Sequence, residues 1–242
     1  MAMIKLRDDR KHQQAIRTRV ENGFKNLLLL QPYQYVTQVY GFCFTENNVL
    51  ILLTELANQG DLKTFLNSRF YYQLNVKKRF GFIIQMIELF YFLHHSPLGT
   101  RINCDTSKIS RALAQFLVID NKIVANDLDD FPAVNSKNFA NCTWGNVENN
   151  YDPLFAAPEE QRTYKGEVGN EVGMTEKVDI WKIPDLVEHM MFKNLPDGLH
   201  NEFIKISKEL DGMNNKMKRL RPDQRPAIEE VLEAYTRVYE SL

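Results

Sequence analysis

Apolar residues recur at helical spacing at Ile16, Val20, Phe24, Leu27 and Leu28, which predicts a helix over residues 10–30 that Gln31-Pro32 ends. Before it, Met1 to Leu6 has the character of a short strand. After it, two β-rich runs, Val36 to Phe44 and Val49 to Glu55, flank the turn Thr45-Glu46-Asn47-Asn48. Asn58-Gln59-Gly60-Asp61 breaks that pattern, and Asp61 is placed to cap a helix starting near Leu62. Helical patterns then dominate. The longest runs from Val76 to His95 and stops at Ser96-Pro97-Leu98-Gly99. Two more β-like runs, Gln115 to Ile119 and Lys122 to Asn126, meet at a turn on Asp120-Asn121. From Asp127 to Ala157 the chain is polar and irregular, far longer than an ordinary connection, which suggests a functional loop. Residues 177–242 alternate helices with breaks expected at Pro184, Pro196, Pro222 and Pro226. This order predicts an α+β chain of two lobes, with a mostly helical second part.

Composition narrows the function classes. The chain has 242 residues, 44% of them hydrophobic, enough for a substantial core. Lysine plus arginine (30) nearly balance aspartate plus glutamate (31), and no basic run is interleaved with aromatics, so no nucleic-acid partner is expected. The longest apolar stretch, Phe80 to Leu93, is interrupted by Gln85 and Glu88 and is shorter than the roughly 20 residues of a membrane span. It reads as a buried helix. The first twelve residues lack the apolar core of a signal peptide. Cys43, Cys104 and Cys142 have neither zinc spacing nor the density of a disulfide framework, and they read as buried thiols. Asn141-Cys142-Thr143 is a glycosylation sequon, relevant only in a secretory lumen.

The charged and polar motifs follow an order that phosphoryl transfer would explain. That chemistry needs a lysine for the ATP phosphates, a glutamate to hold it, a base near the acceptor hydroxyl and two metal-binding positions. Ala2-Met3-Ile4-Lys5 resembles the third-strand lysine motif of protein kinases, with one extra residue, and Glu21 follows on the predicted helix. Taken singly, Lys5 and Glu21 read better as a solvated lysine and a surface glutamate. Leu27 to Pro32 leading into Val36, Val39, Tyr40 and Gly41 changes this, because it resembles the kinase passage from that helix to the fourth strand. Thr54-Glu55-Leu56-Ala57, before Gly60-Asp61-Leu62, resembles a gatekeeper and a hinge whose backbone at Glu55 and Ala57 would meet adenine. Asn103-Cys104-Asp105 stands where kinases carry His-Arg-Asp, which makes Asp105 the candidate base. The missing arginine argues against control through a phosphorylated loop. Position 110 is Ser110 where a metal-binding asparagine is expected. Gln115-Phe116-Leu117-Val118 looks like the displaced metal-binding run, so Gln115 is the candidate ligand. Ala125-Asn126-Asp127-Leu128-Asp129-Asp130 occupies the Asp-Phe-Gly position, with Asp127 the second metal ligand and a contact for ATP. Asp127 follows Gln115 by twelve residues, a separation that fits the kinase hairpin. Ala157-Pro158-Glu159, Asp179-Ile180-Trp181 and Gln224-Arg225-Pro226 match the later structural motifs, which predicts a buried ion pair between Glu159 and Arg225.

These motifs together resemble a protein-kinase-like fold. The resemblance implies a partial small lobe and hinge over residues 1–57, from the third strand onward, and a larger helical lobe over residues 58–242. Within that superfamily the chain is similar to the protein O-mannose kinase family. The similarity rests on Phe92 to Arg101, Cys104-Asp105, Ala125 to Asp129, Lys177 to Asp185, and Arg225-Pro226 with Val231 to Tyr235. It implies an ATP-dependent enzyme using Mg²⁺ or Mn²⁺ that phosphorylates the 6-hydroxyl of mannose. The implied acceptor is an O-linked trisaccharide of N-acetylgalactosamine, N-acetylglucosamine and mannose on dystroglycan. It also implies residence in the endoplasmic reticulum lumen, with an N-terminal membrane anchor that this sequence does not contain.

The first two strands and the glycine-rich loop of the kinase pattern have no counterpart before Lys5. Two other readings follow from the sequence: a pseudokinase or glycan-binding module, and a lumenal protein kinase. The segment Asp179 to Asp185 speaks against the last.

Overall fold

The computed structural model describes residues 1–5, 13–31, 33–45, 50–103, 108–126, 128, 131, 133–134, 151–164 and 174–242, with the backbone alone at 4–5, 13–20 and 162–164. Three strands, β1 (Ala2–Lys5), β2 (Val39–Phe44) and β3 (Leu50–Thr54), form an antiparallel sheet in the order β1-β3-β2. β3 is central and buries Leu50, Leu52 and Thr54 on one face, the alternation of a half-covered strand. Helix α1 (Gln13–Leu29) lies against the sheet, where Phe24 meets the Phe42 ring edge-on at 4.8 Å.

β2 begins three residues later than the sequence suggests. Val36 forms a parallel bridge to Ala125 instead. The Thr37 N–H donates to the Ala125 carbonyl (3.0 Å), and the Ala125 N–H donates to the Tyr35 carbonyl (2.9 Å). These groups are therefore unavailable to the sheet.

The rest is mainly helical: α2 (Leu62–Leu66), α3 (Arg69–Tyr72), α4 (Val76–His94), α5 (Ile109–Ala114), α6 (Pro158–Tyr164), α7 (Lys177–Phe192), α8 (His200–Met217) and α9 (Ile228–Ser241). Capping side chains start the first three. Asp61 accepts the Thr64 N–H at 2.6 Å, Ser68 that of Tyr71 at 3.1 Å and Asn75 that of Lys78 at 3.0 Å. α4 is apolar on almost every side and is the axis of the core, packed by α7, α9 and β5. Phe80 stacks on Tyr235, and Phe90 meets Phe116 edge-on.

Arg79 is fully buried in α4. Its guanidinium donates to the carbonyls of Leu74, Tyr72, Lys193 and Asn194 and sits 4.4 Å over the Tyr71 ring. Burial lowers its pKa, yet it stays charged, because a guanidinium starts far above neutral pH. One side chain thus pins the end of α7 to α3.

Two expectations fail. Pro184 does not break the chain but lies inside α7. A helix-interior proline costs about 3 kcal/mol. Here α7 buries Ile180, Ile183, Leu186, Val187 and Met190 around it. At about 1.5–3 kcal/mol per buried large aliphatic side chain, burial outweighs that cost. Cys43 is not a buried thiol: it is free and exposed on the edge strand β2. Cys104, Cys142 and the Asn141 sequon lie outside the described residues.

Candidate active site

The hairpin of β4 (Phe116–Ile119) and β5 (Lys122–Ala125) is where the parts of the molecule meet. Asp120 and Asn121 both have positive φ (49° and 64°), the two-residue turn that matches strand twist, and aspartate and asparagine tolerate it. Asn58 and Gln59 bind the turn through Asp120 and Asn121. Gln85 of α4 accepts the Ile123 N–H at 3.1 Å. The Val118 N–H donates to the Gly60 carbonyl at 2.9 Å, and Gly60 holds φ +77°, which favours glycine. The segment after β3 is thus sewn along one side of the hairpin, and residues 35–37 along the other.

This register sets Gln115 and Asn126 side by side at the open end of the hairpin. The Asn126 N–H donates to the Gln115 carbonyl at 3.3 Å, and the Gln115 side chain is buried against core residues. The Thr37 hydroxyl reaches Asn126 Oδ1 at 3.3 Å. Asp127, the next residue, lies outside the described set, but Leu128 on its far side is buried, and its carbonyl accepts from Asn26 Nδ2 of α1 at 3.2 Å. Both neighbours of Asp127 are therefore anchored. A buried amide beside an acidic position suits a hard cation such as Mg²⁺, which takes oxygen ligands. Among the described residues, no group of three or more His, Cys, Asp or Glu could hold a metal ion.

The predicted hinge follows β3. The Glu55 N–H donates to the Gln38 carbonyl at 3.0 Å, and Glu55 Oε1 accepts the Gln38 N–H at 2.8 Å. The Glu55 side chain is thus a strut, and its backbone carbonyl, already accepting from Thr54 Oγ1 at 3.2 Å, keeps a lone pair for a ligand. The Ala57 N–H has no partner among the described residues, and the Ala57 carbonyl accepts from Gly60 at 3.1 Å. One acceptor and one donor on an extended edge fit the adenine edge expected there.

Asp105 lies outside the described residues, two positions past Asn103. What holds Asn103 is clear. Both Asp179 oxygens accept the Asn103 N–H at 3.2 Å, and His94 Nε2 lies 3.1 Å from Asp179 Oδ2. Asp179 is completely buried at the start of α7. It anchors the chain entering the Asp105 segment to the two core helices α4 and α7. Lys5 is the last residue of β1, paired with Ile51, and its side chain is not described; Glu21 sits half-buried on α1.

Behind the site, Arg225 donates to both oxygens of Glu159, at 2.6 and 2.9 Å, with both side chains buried as the motif predicted. A second buried pair lies beside it. Lys182 Nζ is 2.6 Å from Glu160 Oε1, and Glu160 Oε2 accepts the Ala157 N–H at 2.8 Å. Burial pushes the Glu160 carboxyl above its ordinary value, against the pull of Lys182. Sequence motifs did not reveal the contacts made by Lys182, His94, Asn26, Gln38 or Thr37. Their partners lie elsewhere in the chain, and no local pattern marks them.

No protein-family model matches the chain. Curated proteins do. The human protein O-mannose kinase is 31% identical over 227 residues, 91% of this chain and 62% of the relative. That of Macaca fascicularis is 30% identical over the same shares, and that of Gallus gallus 30% identical over 90% of this chain and 61% of its own. The chain is thus similar to protein O-mannose kinases. It spans about three fifths of the length of the curated relatives it matches. The similarity extends over about nine tenths of the chain rather than one motif.

Proposed function

We propose that the chain carries the core of an ATP-dependent kinase with two lobes, joined at the hinge, that phosphorylates the 6-hydroxyl of O-linked mannose. The observation that carries this reading is the hairpin register. It sets Gln115 beside Asn126, the residue before Asp127, while Asn58 to Gly60, just past the hinge at Glu55 and Ala57, are bonded to the turn half of the same hairpin. In this reading ATP lies with its adenine on the hinge. Mg²⁺ or Mn²⁺ lies between Gln115, Asp127 and the phosphates. Lys5, held by Glu21, would meet the α- and β-phosphates. Asp105 would accept the proton of the attacking hydroxyl. Two metal ligands and a base suffice because phosphoryl transfer depends on positioning and charge neutralisation.

The kinship with protein O-mannose kinases supports mannose as acceptor, in the N-acetylgalactosamine–N-acetylglucosamine–mannose trisaccharide of a dystroglycan-like glycoprotein in the endoplasmic reticulum lumen. The test is direct. The chain, labelled ATP, Mg²⁺ or Mn²⁺ and the synthetic trisaccharide should give phosphate on mannose. Asp127→Ala and Asp105→Asn should abolish it. Undiminished transfer by Asp105→Asn would remove the assigned base. No transfer by the unaltered chain, even with the preceding sequence of a relative fused to it, would leave the pseudokinase reading in its place.

A further inference from the structure

A cleft of about 540 Å³ opens between α2, α5 and the end of α7. Its walls carry Lys63, Lys108, Lys193 and His189, with the Ser110 hydroxyl on its α5 side. One carboxyl, Asp152, faces them, and it already accepts the Leu154 N–H at 2.9 Å through Oδ1. Lys63 and Lys193 against that one carboxyl leave the cleft net positive. Among the described residues neither Lys63 nor Lys193 is in an ion pair. Lys193 is not a freely waving surface lysine. Its carbonyl is held by Arg79, and the following Asn194 is tied to α2 through Leu66 and Asn67. The cleft is therefore built on fixed backbone, and it has a volume within the range of small-ligand sites.

We propose that this cleft binds the oxyanion of a small ligand, a phosphate or sulfate carried on a sugar. Lysines paired with neither carboxyl nor backbone gain most from an oxyanion, and the nearby hydroxyl and imidazole supply neutral donors suited to phosphate or sugar oxygens. The mixed aliphatic wall of Ile109 and Leu113 gives a sugar ring an apolar surface to lie on. His189 adds a reporter. Burial and the Lys193 charge depress its pKa below 6.5, so at neutral pH the ring is uncharged. The groups facing it are Lys63 from α2, Lys108 before α5, Asp152 from the loop, and Asp185, Glu188 and Lys193 on its own segment. A bound oxyanion reverses the sign of the local potential and raises the His189 pKa. The proposal is independent of catalysis, since binding needs no ATP.

The experiment uses the full chain with inorganic phosphate, a hexose 6-phosphate and the unphosphorylated hexose, at fixed ionic strength. Calorimetry measures affinity, and NMR follows the His189 ring through a pH titration. Binding of phosphate, with the His189 pKa moving upward, supports the site. Tighter binding of the hexose phosphate assigns the oxyanion to a sugar, and equal binding assigns it to free phosphate. Lys63→Gln and Lys193→Gln should each weaken binding by roughly tenfold or more, as expected for loss of a charged hydrogen bond. Lys216→Gln on α8, outside the cleft, should not. Absence of saturable phosphate binding by the unaltered chain, an unmoved His189 titration, or equal losses in the Lys216→Gln control would overturn the proposal.

Discussion

Replacing Lys182 by methionine keeps its length and apolar stem but deletes the charge facing Glu160. In the native protein the two side chains are 2% and 0% exposed, and the Nζ–Oε1 distance is 2.6 Å. Among the described residues, the variant leaves Glu160 with the Ala157 N–H as its remaining hydrogen-bond donor. Removing one member of a buried pair costs about 3–5 kcal/mol, because the remaining charge is stranded in a low-dielectric interior. That is a large part of a typical total stability of roughly 5–15 kcal/mol. The sign with pH is fixed by Glu160. Its folded pKa already lies above the unfolded 4.5, so the folded state holds the proton more tightly. A group of this kind contributes least stability at high pH and gains it as pH falls toward 4.5. Without Lys182 the folded pKa rises further. The loss should therefore be greatest at neutral pH and shrink toward pH 5. Urea unfolding followed by the fluorescence of Trp181, which packs on the same helix, measures both values. The companion variant Lys182→Met with Glu160→Gln removes the stranded charge and should recover most of the lost stability. A loss below about 1 kcal/mol at pH 7, or an equal loss at both pH values, would refute the buried-charge reasoning.

Three further outcomes are expected. Asp179→Ala should cost about 2–4 kcal/mol, since it leaves the buried Asn103 N–H and His94 Nε2 unpaired; it should also slow phosphoryl transfer far more than it weakens ATP binding, as single-turnover and nucleotide-binding measurements would show. Arg79→Lys cannot reach the carbonyls of Leu74, Tyr72, Lys193 and Asn194 with one ammonium group, and calorimetric melting should report a loss of about 2–3 kcal/mol. Asn121→Val forces a β-branched residue to φ 64° and should cost about 1–3 kcal/mol in chemical denaturation, whereas an unchanged midpoint would contradict the turn geometry.

The features legible in the sequence are those whose causes lie within a few residues. The apolar pattern of Val76 to His94 announces a central helix, because only a narrow stripe of Lys77, Lys78, Gln85 and Glu88 is left for solvent. Asp61 before Leu62 announces a cap, and Asp120-Asn121 between two β-rich runs announces a tight hairpin turn. The order of short motifs joined Glu159 to Arg225 across 66 residues, since a family pattern carries long-range information that periodicity does not.

Tertiary structure alone decided the rest. Asp179 meets Asn103 across 76 residues, and Thr37 meets Ala125 across 88, so neither contact leaves a trace in local composition. The same contacts moved the start of β2 from Val36 to Val39, because a backbone group bonded to the hairpin cannot also join the sheet. Pro184 reads as a break by its own chemistry, but the helix continues because the core on both sides of it is buried. Cys43 reads as a buried thiol by residue type and is exposed because β2 is an edge strand. Local propensity sets where elements can form, and the large burial energies of the assembled core determine where they start, whether they bend and which side chains they enclose.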